Sequence, residues 1–303
     1  MTSVSVAPRG IDPLNIVMGV RTLAMNAAGA CFEQSVGPRF HDHRGLTTLG
    51  SVGVVADDAV AGAFYAAVPT GSRTVVSQLV VTAAAPLPRT GEVTASASAT
   101  HLDLDAGTGV TSGEIRDPGG RVAAVLRARS FIVSRPSQVD VHYGPAADLV
   151  VPEPETATSP HDLAGLPGPA IVEGIADGSV RRGPLAGLVD LTVESVARGT
   201  VTARMSPGSW MSNEIGTVQG GVLLTVADLA AGLAAQTLTE PGRSFRTLDA
   251  RLDLVRSPAV DGPPIRVQAD VVRAGRRLAL IETRLTGADG GLLVSARASV
   301  QLG

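Results

Sequence analysis

A single carboxylate interrupts a long apolar stretch. In NEIGTVQGGVLLTVADLAAGLAAQTL (213–238), everything from Gly221 to Ala235 is apolar except Thr225 and Asp228. Asn213, Gln219 and the pair Gly220-Gly221 lie just upstream. The double glycine opens a predicted helix, whose first N–H groups lack internal partners and carry the positive end of the helix dipole. A glycine lets a substrate carbonyl approach such N–H groups closely. Donors aimed in this way stabilise the negative charge that develops during acyl transfer. An acid beside them acts as nucleophile or as general base on water. Each residue also has a plainer use. The glycines make a packing turn, Asn213 caps a turn, and a lone acid pairs with an arginine. Finding all three together favours the chemical reading.

The elements that would position these residues recur along the chain. The segment from Phe40, FHDHRGLTTLGSVGVVADDAVAGAF, resembles that from Trp210, WMSNEIGTVQGGVLLTVADLAAGLA, at an ungapped shift of about 170 residues. The shift sets Phe40 against Trp210, His43 against Asn213, Gly50 against Gly220, Asp58 against Asp228 and Gly62 against Gly232. Asp57 beside Asp58 leaves open which of the two is the matching acid. Farther on, Arg73-Thr74 matches Arg246-Thr247, and DPGGRVAAVLRARS matches GADGGLLVSARAS. Each copy reads as a glycine turn, one apolar helix and a set of strands. Leu248, Ala250, Leu252 and Leu254 alternate with polar residues, as do Ile265, Val267, Ala269 and Val271, and Val93, Ala95, Ala97 and Ala99. Such strands form antiparallel sheets with one face on a core. A helix apolar all round must be that core, so the sheet wraps it. The predicted class is α+β with two like units, 1–134 and 171–303, joined by a Pro/Ala-rich linker, 135–170.

Composition narrows the chemistry. A net charge of −3 gives no basic face for nucleic acid. All 25 basic residues are arginine, so a Walker-type phosphate loop and a pyridoxal Schiff base, which both need lysine, are excluded. The one cysteine, Cys31, allows no intrachain disulfide and fits a reducing cytoplasm. No signal peptide or membrane span is expected. The histidines, His41, His43, His101, His142 and His161, all fall in the first 161 residues. His41-Asp42-His43 is a permissive metal pattern without a convincing third ligand, so no metal and no cofactor are expected. GTGVTS at 107 lacks the third glycine of a dinucleotide fingerprint, and LGSVG around Ser51 is no nucleophile elbow.

The arrangement Asn213-x5-Gln219-Gly220-Gly221-x6-Asp228 resembles the Asn…His-Gly-Gly…Asp signature of PaaI-type acyl-CoA thioesterases, with Gln219 in place of the histidine. The resemblance covers 184–303 and extends through the repeat to about 13–134, where the motif is degraded. It implies a tandem, or double, hotdog fold and hydrolysis of an acyl-CoA thioester to free acid and CoA. Lipid metabolism, a cytoplasmic location and a homodimer of the fused chain follow as further expectations. A non-catalytic acyl-CoA-binding hotdog protein is the alternative. A hotdog hydratase or dehydratase ranks below it, because no GDxNPxH stretch occurs.

Gly220 and Asp228 are eight residues apart, about 12 Å along one helix, so they cannot serve the same thioester carbon. In the dimers that this chain resembles, the site forms between two antiparallel helices. Two sites are therefore expected within the chain. One combines Asn213, Gln219, Gly220 and Gly221 with Asp58 and Thr74. The other combines His43 and Gly50 with Asp228 and Thr247. The first keeps more of the motif. Asp58 and Asp228 act as nucleophile or general base, Asn213 orients water or carbonyl, and the threonines hold carboxylate or water. Arg273, Arg276 and Arg277 at a predicted hairpin either hold coenzyme A phosphates or form a solvated turn.

Overall fold

A computed structural model describes residues 12–134 and 153–303. Residues 135–152 of the expected linker, with His142, lie outside them.

The chain runs α1 (Pro13–Met18), β1 (Val20–Asn26), β2 (Gly29–Val36), α2 (Gly53–Ala67), β3 (Arg73–Ala83), β4 (Gly91–Asp103), β5 (Thr108–Arg116) and β6 (Val122–Ser134). After the linker come α3 (Pro160–Leu163), α4 (Gly168–Asp177), α5 (Pro184–Leu188), β7 (Leu191–Ala197), β8 (Thr200–Met205), α6 (Gly220–Gln236), β9 (Phe245–Leu254), β10 (Ile265–Ala274), β11 (Leu278–Thr286) and β12 (Leu292–Leu302). Helix α3 and the start of α4 fall inside the expected linker.

The twelve strands form one antiparallel sheet in the order β1-β2-β4-β5-β6-β3-β9-β12-β11-β10-β8-β7. Each half has the same strand order, and the halves join edge to edge through β3 and β9, with Leu79 opposite Leu252 and Val81 opposite Ala250. This is the helix-in-sheet arrangement that the alternating strands require, repeated twice. Helix α6 is buried along almost its whole length, as an all-apolar helix should be. Helix α2, extended by a 3-10 turn at Leu49–Val52, is long and apolar enough by composition to cross a membrane. It instead packs between the sheet and α6, and most of it is buried.

The two helices touch through glycines. A Cβ on Gly53 would stand 2.5 Å from the Gly221 carbonyl oxygen, and one on Gly221 would stand 2.5 Å from Val54 Cα. Only hydrogen at both positions lets the backbones come this close.

One expectation about the strands fails in an informative way. Strict alternation along β9 points Leu248 at the core. A bulge there leaves Leu248 without a partner: Asp249 faces Ser299, and Thr247 faces Val300. The extra residue reverses the side-chain sense, so Thr247 is buried and Leu248 only half-buried. Strand β3 has its equivalent bulge at Ser77, between Val76 and Gln78.

Candidate active site

Equivalent contacts in the two halves set the repeat one residue away from the ungapped pairing. The 3-10 turns Pro38–Phe40 and Ser209–Met211 correspond, and so do the isolated bridges His41–Thr47 and Ser212–Val218. Asp42 Oδ1 accepts from the amides of Arg44 and Leu46, just as Asn213 Oδ1 accepts from those of Ile215 and Thr217. Gly45 and Gly216 close these turns with φ of 71° and 79°, where a side chain would be strained. The counterpart of Asn213 is therefore Asp42, not His43. Thr48 matches Gln219, Gly50 matches Gly221, and Asp57 matches Asp228.

The helices run antiparallel, and the amide-rich start of each meets the acid of the other. Gly50 N–H donates to Asp228 Oδ2 at 2.7 Å. Gly221 N–H donates to Asp57 Oδ2 at 3.1 Å, while Gln219 Nε2 donates to Asp58 Oδ1 at 2.8 Å. Thr225 Oγ1 donates to the Gly50 carbonyl at 2.7 Å, which ties Gly50 to α6 on the residue that also donates its N–H to Asp228. The two corners differ beyond this shared frame.

At the Gly50 corner, burial raises the Asp228 pKa against the pull of the Gly50 amide and of the Thr48 and Thr247 hydroxyls. No hydrogen bond of ordinary geometry reaches its Oδ1, although the Thr48 and Thr247 hydroxyls lie close to the carboxylate. Thr48 and Thr247, which neighbour Asp228, line a cavity of about 280 Å³ together with Leu49 and Phe245, with Arg44, Arg89 and Arg246 on its walls; Asp228 itself is buried behind them. Arg44 is held there by Asp42, lies over the Phe245 ring and donates to the Phe245 carbonyl.

At the Gly221 corner, burial pushes Asp57 up to about 6, opposed by the amides of Gly221 and Gly220. Asp58 is raised well above the usual range by burial and then by Asp57 and Asp12. Asp12, itself raised to about 6 by burial, caps α1 and also feels Glu214. The matching position in the other corner is Gly183, packed so tightly on Asp42 and His43 that no side chain fits. One corner therefore gathers four acids, Asp12, Asp57, Asp58 and Glu214, where the other has Asp228, Asp42 paired with Arg44, and no acid at position 183.

Several expected site residues lie elsewhere or are otherwise engaged. Asn213 spends its side chain on its own turn: Oδ1 takes two amides and Nδ2 donates to Thr217 Oγ1. It shapes the loop that delivers Gln219, with Oδ1 fully used and one of the two Nδ2 hydrogens given to Thr217. Buried His43 contacts Gln236 at 3.3 Å and stacks on Phe245, and burial lowers its pKa; it does not pair with Asp228. Thr74 lies two positions before Val76, the true counterpart of Thr247, because bulges at Ser77 and Leu248 set the register. The Gly221 corner thus has valine where the Gly50 corner has a hydroxyl. Arg276 and Arg277 line a cleft, whereas Arg273 is exposed outside it. Thr48 and Asp42 were missed. Their signal is an Asx-x-x-Gly turn shared by Asp42–Gly45 and Asn213–Gly216.

An acid with only a structural role would be paired. None of the ion pairs among the described residues involves Asp57, Asp58 or Asp228, and each has one oxygen that no hydrogen bond of ordinary geometry reaches.

Residues 215–294 match the sequence profile of the thioesterase superfamily. Over 114 residues the chain is 32% identical to acyl-coenzyme A thioesterase 13 of Homo sapiens, and equally to that of Pongo abelii, covering 37% of this chain and 80% of each relative. The chain belongs to the thioesterase superfamily. The superfamily match holds Gln219, Gly220, Gly221, Asp228 and Thr247, and none of the first half. Solved structures extend the likeness to the whole chain. A conserved protein of unknown function with a hot dog fold from Alicyclobacillus acidocaldarius is 14% identical, with 96% of this chain and 97% of that one covered and a TM-score of 0.59. A candidate thioesterase II from Thermobifida fusca is 11% identical, with the same coverages and TM-score. At such identities the likeness is one of fold, and the fold is a double hotdog.

The pH dependence of stability provides a test of the acid corner. The folded pKa of Asp57, about 6, lies above the ordinary 3.8. The folded protein thus keeps a proton that the unfolded chain releases, and stability falls as pH rises from about 4 to about 6. Asp57→Asn removes this loss. Urea unfolding should show the variant gaining roughly 2–3 kcal/mol on the wild type between about pH 4 and pH 7. A pH-independent difference between the two would mean that Asp57 is not buried against its neighbours as described.

Proposed function

We propose that the chain hydrolyses an acyl-CoA thioester to free acid and CoA, and that the working centre is the Gly50–Asp228 corner. The observation that carries this reading is the contact of Gly50 N–H with Asp228 Oδ2, beside an open cavity and a buried threonine. Family membership supports the reaction class, and the acyl-CoA relatives support the substrate.

In the substrate-free protein the carboxylate occupies the amide that would hold an oxyanion. An incoming thioester carbonyl takes over the Gly50 N–H, and losing that hydrogen bond raises the basicity of Asp228. Its Oδ1 then receives a proton from a water held near Thr247. The hydroxide adds to the carbonyl carbon, the Gly50 amide stabilises the developing oxyanion, and the C–S bond breaks as the proton passes to the departing thiolate. Thr247 positions the water, and Thr225 anchors Gly50 through its carbonyl. At the other corner, four acids confront a polyanionic substrate, and the hydroxyl is replaced by Val76.

Release of free thiol from a panel of acyl-CoAs tests the reading. An inert acyl-CoA binder releases none. With an active substrate, kcat should fall on the acid side with a midpoint above the ordinary carboxylate range, since Asp228 is raised by burial and must be ionised to act. Thr247→Val should lower kcat by about tenfold with little change in KM. An unchanged kcat would remove Thr247 from the mechanism. A cytoplasmic location and a dimer of the fused chain belong to the same proposal, and light scattering in solution tests the latter.

A further inference from the structure

The two halves share a strand order but not a cover. The sheet ends on β7 at one side and on β1 at the other. In the register set by the contacts, α5 and β7 correspond to α1 and β1, so that Gly187 matches Ile16, Glu194 matches Leu23 and Val196 matches Met25. Residues 153–177 lie over this end of the second half. Glu155 packs on Gly187 and pairs with Arg182 at 2.7 Å. Helix α4, with Ile171, Val172 and Ile175 buried, packs on β7 and α6. Gly168 at its start donates to the Thr239 carbonyl at 2.9 Å, and α6 beneath is buried through Gln236.

Among the described residues nothing covers the matching end of the first half. Every residue of β1 after Val20 is exposed, and α2 has its last buried residue at Phe64, short of its end at Ala67. Ile16, Leu23 and Met25 are 39%, 43% and 39% exposed. Single apolar residues on a surface need no explanation, but three at a place that is covered in the other half mark an interface. The two edges differ in the same sense. Each carries a bulge, and the residue left without a cross-strand partner is Leu23 in β1 and Glu194 in β7. A charge at an edge turns other strands away, and Glu194 stands 3.5 Å from Arg204. Leucine gives β1 no such protection. The one charged residue of β1, Arg21, is neutralised by Glu33 at 2.6 Å.

We infer that β1 and the exposed side of α1 form the interface with a second copy of this chain, the two β1 strands lying antiparallel about a two-fold axis. A patch that meets its own copy must be self-complementary. Antiparallel strands centred on Leu23 and Ala24 set Arg21 against Asn26 and Thr22 against Met25, so no like charges face each other. Leu23, Met25 and Ile16 of both copies leave water together. One open edge and one guarded edge also give closure. The pair has β7 at both of its ends, so the sheet stops at two chains instead of growing into a fibre. The inference goes beyond the thioesterase reading and does not depend on it, because both corners lie within one chain. It gives the proposed dimer its face.

The test is sedimentation equilibrium of the full chain, which should give twice the chain mass. Leu23→Lys/Met25→Lys should raise the dimer dissociation constant about tenfold or more, with the melting temperature of the chain kept. Leu278→Lys/Leu280→Lys, also exposed but on the sheet of the second half, should leave the dimer intact. Leu23→Glu/Met25→Glu should be monomeric alone and should form a dimer when mixed with the lysine pair, a result that misfolding does not give. A wild type that stays monomeric would overturn the interface. If deletion of residues 2–11 then produced a dimer, the N-terminal segment would be the occupant instead. A dimer that survives the lysine pair, or that is lost in Leu278→Lys/Leu280→Lys, would overturn this face and leave the proposed dimer standing.

Discussion

Asp228→Asn should lower kcat for acyl-CoA hydrolysis by about 10²–10⁴-fold, the range expected when a general base is removed. Asparagine preserves the shape. Its amide oxygen can still accept from Gly50 N–H, which in the native protein meets Asp228 Oδ2 at 2.7 Å, so folding should survive. What disappears is the proton acceptor at Oδ1, the oxygen that no hydrogen bond of ordinary geometry reaches. Asp57→Asn and Asp58→Asn should each leave kcat within a few-fold of wild type, because their corner lacks the inward hydroxyl and is crowded with carboxylates. Steady-state thiol release from the three variants, with far-ultraviolet dichroism to confirm folding, settles the choice. The reverse result, full activity in Asp228→Asn and none in Asp57→Asn or Asp58→Asn, would move the chemistry to the Gly221 corner and sink the proposed centre.

Gly221→Ala should destabilise the protein strongly. Its new methyl group would stand 2.5 Å from Val54 Cα and 2.6 Å from the Gly53 carbonyl carbon. These are backbone atoms of a buried helix and cannot rotate aside. The helices must separate, and overpacking of this kind costs about 1–3 kcal/mol, sometimes more. Separation also pulls Gly50 from Asp228, since both contacts lie on the same antiparallel seam. Loss of melting temperature should therefore be accompanied by loss of activity. Gly120→Ala is the control. It sits in an exposed turn with nothing near its Cβ, so only its positive φ of 81° opposes the change. Equal effects from the two would show that helix contact is not what makes Gly221 necessary.

The register error shows where sequence reasoning stopped. Gly, Ala and Asp are frequent in this chain, and adjacent pairs such as Asp57-Asp58 and Gly220-Gly221 let an alignment slip by one residue while keeping its matches. The slip exchanged Asp42 for His43 and Asp57 for Asp58. Hydrogen bonds do not tolerate such a slip, because each amide has one direction. The twin turns at Asp42 and Asn213 therefore fix the correspondence. The bulges at Leu248 and Ser77 were illegible for a related reason. A bulge is a difference in count between two paired strands, and no single strand records it.

By itself the sequence determined the class of the molecule: two like halves, each an apolar helix inside alternating strands, with an acid on each helix too far from its own glycines to share a site with them. Periodicity and helix rise are local properties, so these conclusions needed no coordinates. Tertiary structure alone decided which acid meets which amide, which threonine turns inward, and which corner has a cavity next to it. Those features arise where segments distant in the chain come together, and their geometry is set by packing between the halves.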